Sequence, residues 1–167
     1  MEGVRPALPA DAERLAQLTA EAVAEQIDGR GGRIWSQREA RSLPAVDSLR
    51  QAIGDPAHLV LAGTIDDTVI GYAVCTTEVL ADATLLGVVT DIFVELGARG
   101  VGVGEALIDE VLAWCRARGC VGVDAHALPG NRHTKNFFET FGFTARALTV
   151  HRSLVDDAPD PAPDGVR

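Results

Sequence analysis

The chain has 167 residues, 47% of them hydrophobic and 23% charged, which suits one compact domain and excludes a chain disordered throughout. A net charge of −9 argues against a duplex nucleic-acid binder, which presents a basic face, so no nucleic-acid partner is expected. Three cysteines without a C-x-x-C pair give neither a disulfide framework nor a metal site, and no signal-peptide core or membrane-length apolar run is present, so a cytoplasmic protein without membrane contact is expected.

In chain order, residues 4–8 read as a short strand closed by Pro9, and Asp11 as the cap of a helix with Leu15, Leu18, Ala22, Val23 and Ile27 at helical spacing. Gly29 stops that helix, and Gly31-Gly32 form a loop. A second helix is predicted over 37–53, with a break or restart at Pro44. Residues 58–65 and 69–77 are apolar, β-branched runs joined by an Asp66-Asp67 turn. Residues 85–95 form a third long strand. After a glycine-rich turn, 105–118 is a helix with Leu107, Val111 and Trp114 on one stripe, stopped by Gly119. A strand over 121–127, a helix over 131–141 and a last strand over 143–154 follow. Residues 155–167, with four aspartates and one arginine, read as a disordered acidic tail after a single domain over 1–154. The pattern predicts an α/β fold with helices on the faces of a mixed sheet.

The informative segment is the turn containing Arg99, Gly100, Gly102 and Gly104, which runs from a strand straight into a helix. Glycines permit positive φ and let an anion approach bare backbone. The first N–H groups of a helix lack intrahelical partners, and the helix dipole adds positive potential there. Such a turn suits a phosphate or diphosphate. No lysine follows Gly104 as a P-loop requires. The third glycine of a dinucleotide fingerprint falls on Glu105 or Leu107. Both nucleotide spacings therefore fail.

Arg99-Gly100-Val101-Gly102-Val103-Gly104 fits R/Q-x-x-G-x-G/A and resembles the coenzyme A signature of the GNAT superfamily of N-acetyltransferases. The preceding IFVELGA resembles that family's fourth strand, with Leu96 where proline is common. Asn131 to Phe143, NRHTKNFFETFGF, resembles its second signature, with Thr134 in place of alanine and Phe138 in place of tyrosine. The resemblance implies a mostly antiparallel sheet of six or seven strands with about four helices, and splayed fourth and fifth strands. It implies acetyl-CoA as cosubstrate. The pantetheine arm would lie along Ile92, Phe93 and Val94, and the diphosphate on the backbone of Arg99, Gly100, Val101, Gly102, Val103, Gly104 and Glu105. Asn131 would bond the arm from the other side. Lys135 and Arg132 lie close to it, where they could reach a phosphate, and Phe138 of the same signature is, with Lys135, a cofactor-binding candidate. Dimers are common in the family, so a homodimer is an open expectation.

Transfer to an amine needs a neutral nucleophile. Deprotonating a lysine-like amine at pH 7 costs roughly 4–5 kcal/mol. A general base carries that proton away, and His126 and Asp91 are the two candidates. His126 stands five residues before Asn131, where ribosomal-protein acetyltransferases of the superfamily carry a glutamate base. Asp91 lies in the stretch where diamine acetyltransferases carry Glu-Asp. Asp124, two residues before His126, shares its strand face and is a candidate to tune it. A backbone N–H near Val94 would meet the thioester oxygen. The family's usual acid for the thiolate is absent, because Phe138 holds its position and Tyr72 is the single tyrosine. The expected function is acetyl transfer from acetyl-CoA to a primary amine of a small molecule or peptide, in a ternary complex. The competing expectation, favoured by Phe138, is a non-catalytic acyl-CoA sensor on the same fold.

Overall fold

A computed structural model describes residues 1–155. The expected tail over 155–167 lies, except for Val155, outside the described residues. Five strands form one sheet in chain order: β1 (Glu2–Pro6), β2 (Leu59–Ile65), β3 (Thr68–Val79), β4 (Leu85–Val94) and β5 (Cys120–Asp124). The first four pair antiparallel, and β5 joins β4 in parallel. The helices are α1 (Ala12–Gln26), α2 (Gly32–Arg38), α3 (Val46–Gly54), α4 (Val103–Ala117) and α5 (Arg132–Thr140). Among the described residues, no helix is long and apolar enough to cross a membrane.

Both faces of β2 and β3 are covered, which is why those strands read as continuous apolar runs rather than alternating ones. On one face Val60, Ala62, Tyr72, Val74 and Phe93 pack against Leu15 and Leu18 of α1 and Leu49 of α3. On the other, Leu61, Ala73, Cys75 and Val89 pack against Leu107, Val111 and Cys115 of α4. Gly63 sets how close α4 can come. A Cβ there would meet the Val103 side chain at 2.5 Å, so only glycine lets the start of α4 rest on β2. Cys75 and Cys115 are free thiols with sulfurs 3.7 Å apart, and burial raises the pKa of both.

Three expectations need correction. The predicted helix over 37–53 is two helices, α2 and α3, because Pro44 cannot sit inside a helical ladder. Asp11 stands at the N-cap position of α1, as expected, but its side chain makes no capping bond; its carboxylate accepts the Leu8 N–H at 2.7 Å and pairs with Arg5 instead. The predicted strand over 143–154 does not form among the described residues, so the sheet has five strands rather than six or seven, with five α-helices rather than four. Residues 143–154 are extended in sequence pattern, yet they find no ladder within their own chain.

Candidate functional site

The site is built on β4, which changes partner and facing along its length. Its pairing with β5 ends at Val88 opposite Asp124, and residues 89–94 continue with β3 alone. Beyond Val88, β4 therefore has no strand on its β5 side among the described residues. A bulge adds a second change. Val89 pairs with Cys75 and Asp91 with Val74, leaving Thr90 as the extra residue. An extra residue reverses the side-chain alternation, so Val89 packs toward α4 while Asp91 turns to the opposite face.

At the end of β4, the Glu95 N–H donates to the Ile70 carbonyl at 2.9 Å, toward β3. Backbone groups alternate sides along a strand, so those of Val94 face the gap left by β5. The Val94 carbonyl there accepts from Arg99 Nε at 2.9 Å.

The chain then turns through Gly100 (φ 83°) and Gly102 (φ 90°) into α4. Side chains other than glycine rarely adopt these angles. A Cβ at either position would meet nothing within 4 Å, so backbone conformation, not crowding, selects glycine. Gly102 is the N-cap, and its carbonyl takes the Ala106 N–H at 3.0 Å. The N–H groups of Val103, Gly104 and Glu105 precede that first intrahelical bond and are available to an anion. Gly104 is glycine for another reason: a Cβ there would lie 3.3 Å from the Phe137 ring.

A cleft of about 490 Å³ opens over this turn. It gathers Ile92, Phe93, Val94, Arg99, Gly100, Gly104, Glu105 and Asn131, all singled out from the sequence. Val101, Gly102 and Val103 belong to the same turn but do not line the cleft; Val103 is buried under it. Lys135 is exposed and pairs with Glu139 at 3.1 Å. Phe138 is buried against Phe143, with ring centroids 5.1 Å apart, and it is the neighbouring Phe137 that lines the cleft. Asn131 caps α5, its side-chain oxygen accepting the Thr134 N–H at 3.1 Å, which leaves its amide NH₂ for a ligand.

The sequence reading missed Glu25, Gln26, His133 and Phe137 as lining residues. Phe137 was legible: Asn131, Thr134 and Phe137 recur every third residue and so share one face of α5. Glu25 carried no local signal. It lies 74 residues from Arg99 and clasps its guanidinium with contacts of 2.8 and 2.7 Å. The same guanidinium sits 5.4 Å from the centre of the Phe93 ring.

The two candidate bases have different surroundings. Asp91 is 6% exposed and accepts from Arg41 at 2.8 and 2.7 Å, from Thr90 at 2.7 Å and from Tyr72 at 3.3 Å. Tyr72 is buried, shares a 2.7 Å contact with Thr19, and has its pKa pushed far above the ordinary tyrosine value by burial. It offers no proton to the cleft. His126 is exposed and lies two residues beyond the end of β5 rather than inside the predicted strand over 121–127, and it does not line the cleft. Asp124 does not bond it. Its carboxylate is held by Arg146 (Nε to Oδ1, 2.8 Å), and that guanidinium keeps its pKa below the ordinary aspartate value. Trp35, on α2, does not line the cleft.

The model of the acetyltransferase (GNAT) family matches residues 21–143, which contain β2 to α5 and the whole cleft. The chain belongs to that family. Its fold is likewise that of several solved structures. A tetramutant of the BH1408 protein from Bacillus halodurans superposes with a TM-score of 0.77 at 18% identity, covering 91% of this chain and 99% of that one. A ribosomal-protein-alanine N-acetyltransferase from Brucella melitensis biovar Abortus 2308 gives 0.67 at 17% identity, covering 93% and 100%. Glucosamine-6-phosphate N-acetyltransferase from Arabidopsis thaliana gives 0.67 at 14%, covering 93% and 99%. No curated protein matches the sequence. At these identities the likeness is one of fold, and acetyl-CoA is the cosubstrate that family membership implies.

Proposed function

We propose that this GNAT protein transfers an acetyl group from acetyl-CoA to a primary amine of a small molecule or peptide, by direct attack in a ternary complex. The observation that carries the reading is the positive-φ turn at Gly100 and Gly102, which offers the N–H groups opening α4 beside a stretch of β4 whose outer edge has no strand. The residues present fit coenzyme A. Unpartnered N–H groups and the dipole of a 15-residue helix suit the diphosphate. The free side of β4 at Ile92 and Val94 suits the amides of an extended pantetheine arm, with the Asn131 amide facing it across the cleft.

Acetyl-CoA supplies an activated acyl group as a thioester. The Val94 N–H, turned into the gap, donates to the carbonyl oxygen where negative charge develops. Of the two candidate bases, His126 is the stronger. Four donor contacts already engage the Asp91 carboxylate, whereas an exposed imidazole is free to take the proton of the incoming amine, directly or through a water. Asp91 then acts as the anchor that holds Arg41 and Tyr72 under the strand. No tyrosine serves the departing thiolate, whose modest basicity lets it leave without one.

The test is coenzyme A release by the full chain against a panel of polyamines, amino acids, aminoglycosides and peptide N-termini. Turnover with at least one class is expected, and His126→Ala should lower kcat by about 10²–10⁴-fold with the affinity for acetyl-CoA unchanged. Turnover unaffected by His126→Ala would return the base role to Asp91. Tight acetyl-CoA binding with no turnover for any amine would instead favour the acyl-CoA sensor, which the Phe138 substitution already suggests.

A further inference from the structure

The chain's three cysteines sit on three different elements, Cys75 on β3, Cys115 on α4 and Cys120 at the start of β5, and the fold gathers them on one side of the sheet. They differ in depth. Cys75 and Cys115 are 0% and 1% exposed, whereas Cys120 is only half-buried. The Cys75 and Cys115 sulfurs are in contact at 3.7 Å, and Cys115 is also hydrogen-bonded to Cys120. The sulfurs thus form a row from core to surface, with Cys115 in the middle.

The surrounding packing makes room for this row. A Cβ at Gly87 would meet the Cys115 sulfur at 2.5 Å, so glycine at that point of β4 is what seats the sulfur against the sheet. At the outer end lies a groove of about 700 Å³, lined by both Cys115 and Cys120. Arg116 lines it too and is exposed, while Asp124 in the same groove is already held by Arg146. The groove therefore offers a cation beside a reachable thiol, which suits a small acidic molecule. Burial raises the pKa of Cys75 and of Cys115, so neither is a nucleophile toward solvent. Chemistry from outside must begin at Cys120.

We propose that Cys120, Cys115 and Cys75 form a thiol–disulfide relay, in which Cys120 reacts with a small acidic disulfide in the groove and exchange carries the bond inward to Cys75 and Cys115. In the first step the Cys120 sulfur attacks the disulfide RSSR, forming a mixed disulfide and releasing one RS⁻, which takes up the Cys120 proton. Cys115 then attacks the Cys120 sulfur; the second RS⁻ leaves and takes the Cys115 proton. Finally Cys75 attacks the Cys115 sulfur, and the Cys120 thiolate leaves with the Cys75 proton. The two protein thiols are oxidised, RSSR is reduced to two RSH, and Cys120 is regenerated. The product ties β3 to α4 across 40 residues of chain and stabilises the fold by constraining its unfolded state. The proposal does not rest on the acetyl-transfer reading, because none of the three thiols lines the cleft over the glycine turn.

The test incubates the folded full-length chain with glutathione disulfide, traps free thiols by alkylation in denaturant, and maps the peptides by mass spectrometry. The expected product has lost two hydrogens and carries no adduct. Its disulfide joins Cys75 to Cys115, Cys120 is alkylated, the thermal midpoint is raised, and dithiothreitol reverses all of it. Cys120→Ser should slow formation of that disulfide at least about tenfold, with the circular dichroism spectrum of the reduced protein unchanged. Cys75→Ala should stop the sequence at a Cys115–Cys120 disulfide. A lasting glutathione adduct on Cys120, a wild-type product that ends at Cys115–Cys120, or three thiols still free after prolonged incubation would each overturn the relay. So would a Cys120→Ser chain that oxidises at the wild-type rate. If Cys75→Ala fails to fold, the wild-type map and the Cys120→Ser rate decide.

Discussion

One cluster of hydrogen-bonding groups lies on β4 and another in the turn that follows it, and they are opposites. Around Asp91 every strong acceptor is engaged, by Arg41, Thr90 and Tyr72. Around Gly102 three backbone donors precede the first helical bond and have no partner in the helix. Groups whose valence is spent hold a structure together, whereas groups whose valence is open can take a ligand. On the proposed reading, the contrast gives Asp91 to architecture and the glycine turn to binding, although both were candidate site residues in the sequence.

The sharpest way to break this contrast is Arg41→Leu. It would leave the Asp91 carboxylate buried and uncompensated, and should cost about 3–5 kcal/mol of stability, read as a lower denaturation midpoint. Coenzyme A affinity of the folded fraction should not change. A stable variant that loses coenzyme A would reverse the two roles. Next in size is Gly102→Val. A β-branched residue at φ 90° is strained by about 1–3 kcal/mol, so calorimetry should show coenzyme A binding weakened roughly 5- to 150-fold, with the helix content retained.

A smaller effect sharpens the architectural side. Asp11 has its pKa lowered chiefly by the hydrogen bond from Arg5, with the Leu8 N–H adding to it. A depressed carboxylate contributes stability above its unfolded pKa, about 3.9, and loses it as pH falls through the lower folded value. Asp11→Asn should therefore cost about 1 kcal/mol at pH 7, limited by the exposure of Arg5, and less at pH 3, below the unfolded value. Equal losses at both pH values would show that the charge plays no part. Smallest is Glu25→Gln. Glu25 is an anion on the rim of the cleft, and its pair with Arg99 is partly exposed. Removing its charge should tighten coenzyme A binding about two- to fivefold at low salt, an effect that vanishes as salt rises.

The legible parts of this molecule were those written locally. Gly100, Gly102 and Gly104 announce an anion-binding turn because the backbone itself is the recognition element, and β2 and β3 announce burial on both faces through unbroken apolar runs. Distant partners were not legible. Arg41 lies 50 residues from Asp91, Glu25 74 residues from Arg99, and Arg146 22 residues from Asp124. Each pairing changes what a candidate residue can do, and none has a spacing that marks it. The Thr90 bulge was equally silent, yet it decides which face Asp91 joins. The segment over 143–154 has the composition of a strand, but it pairs with no strand among the described residues.

The central claim is that bare amide groups at the start of α4 hold the diphosphate. Amide-resolved NMR titration of the full chain with coenzyme A, beside pantetheine that lacks the diphosphate, tests it most directly. The account predicts that coenzyme A moves the amides of Gly102 to Glu105 most strongly, that pantetheine moves Ile92 and Val94 but leaves those four unshifted, and that Tyr72 and Asp91 respond to neither. Equal shifts at Gly102 to Glu105 with both ligands, or none with coenzyme A at saturation, would contradict it.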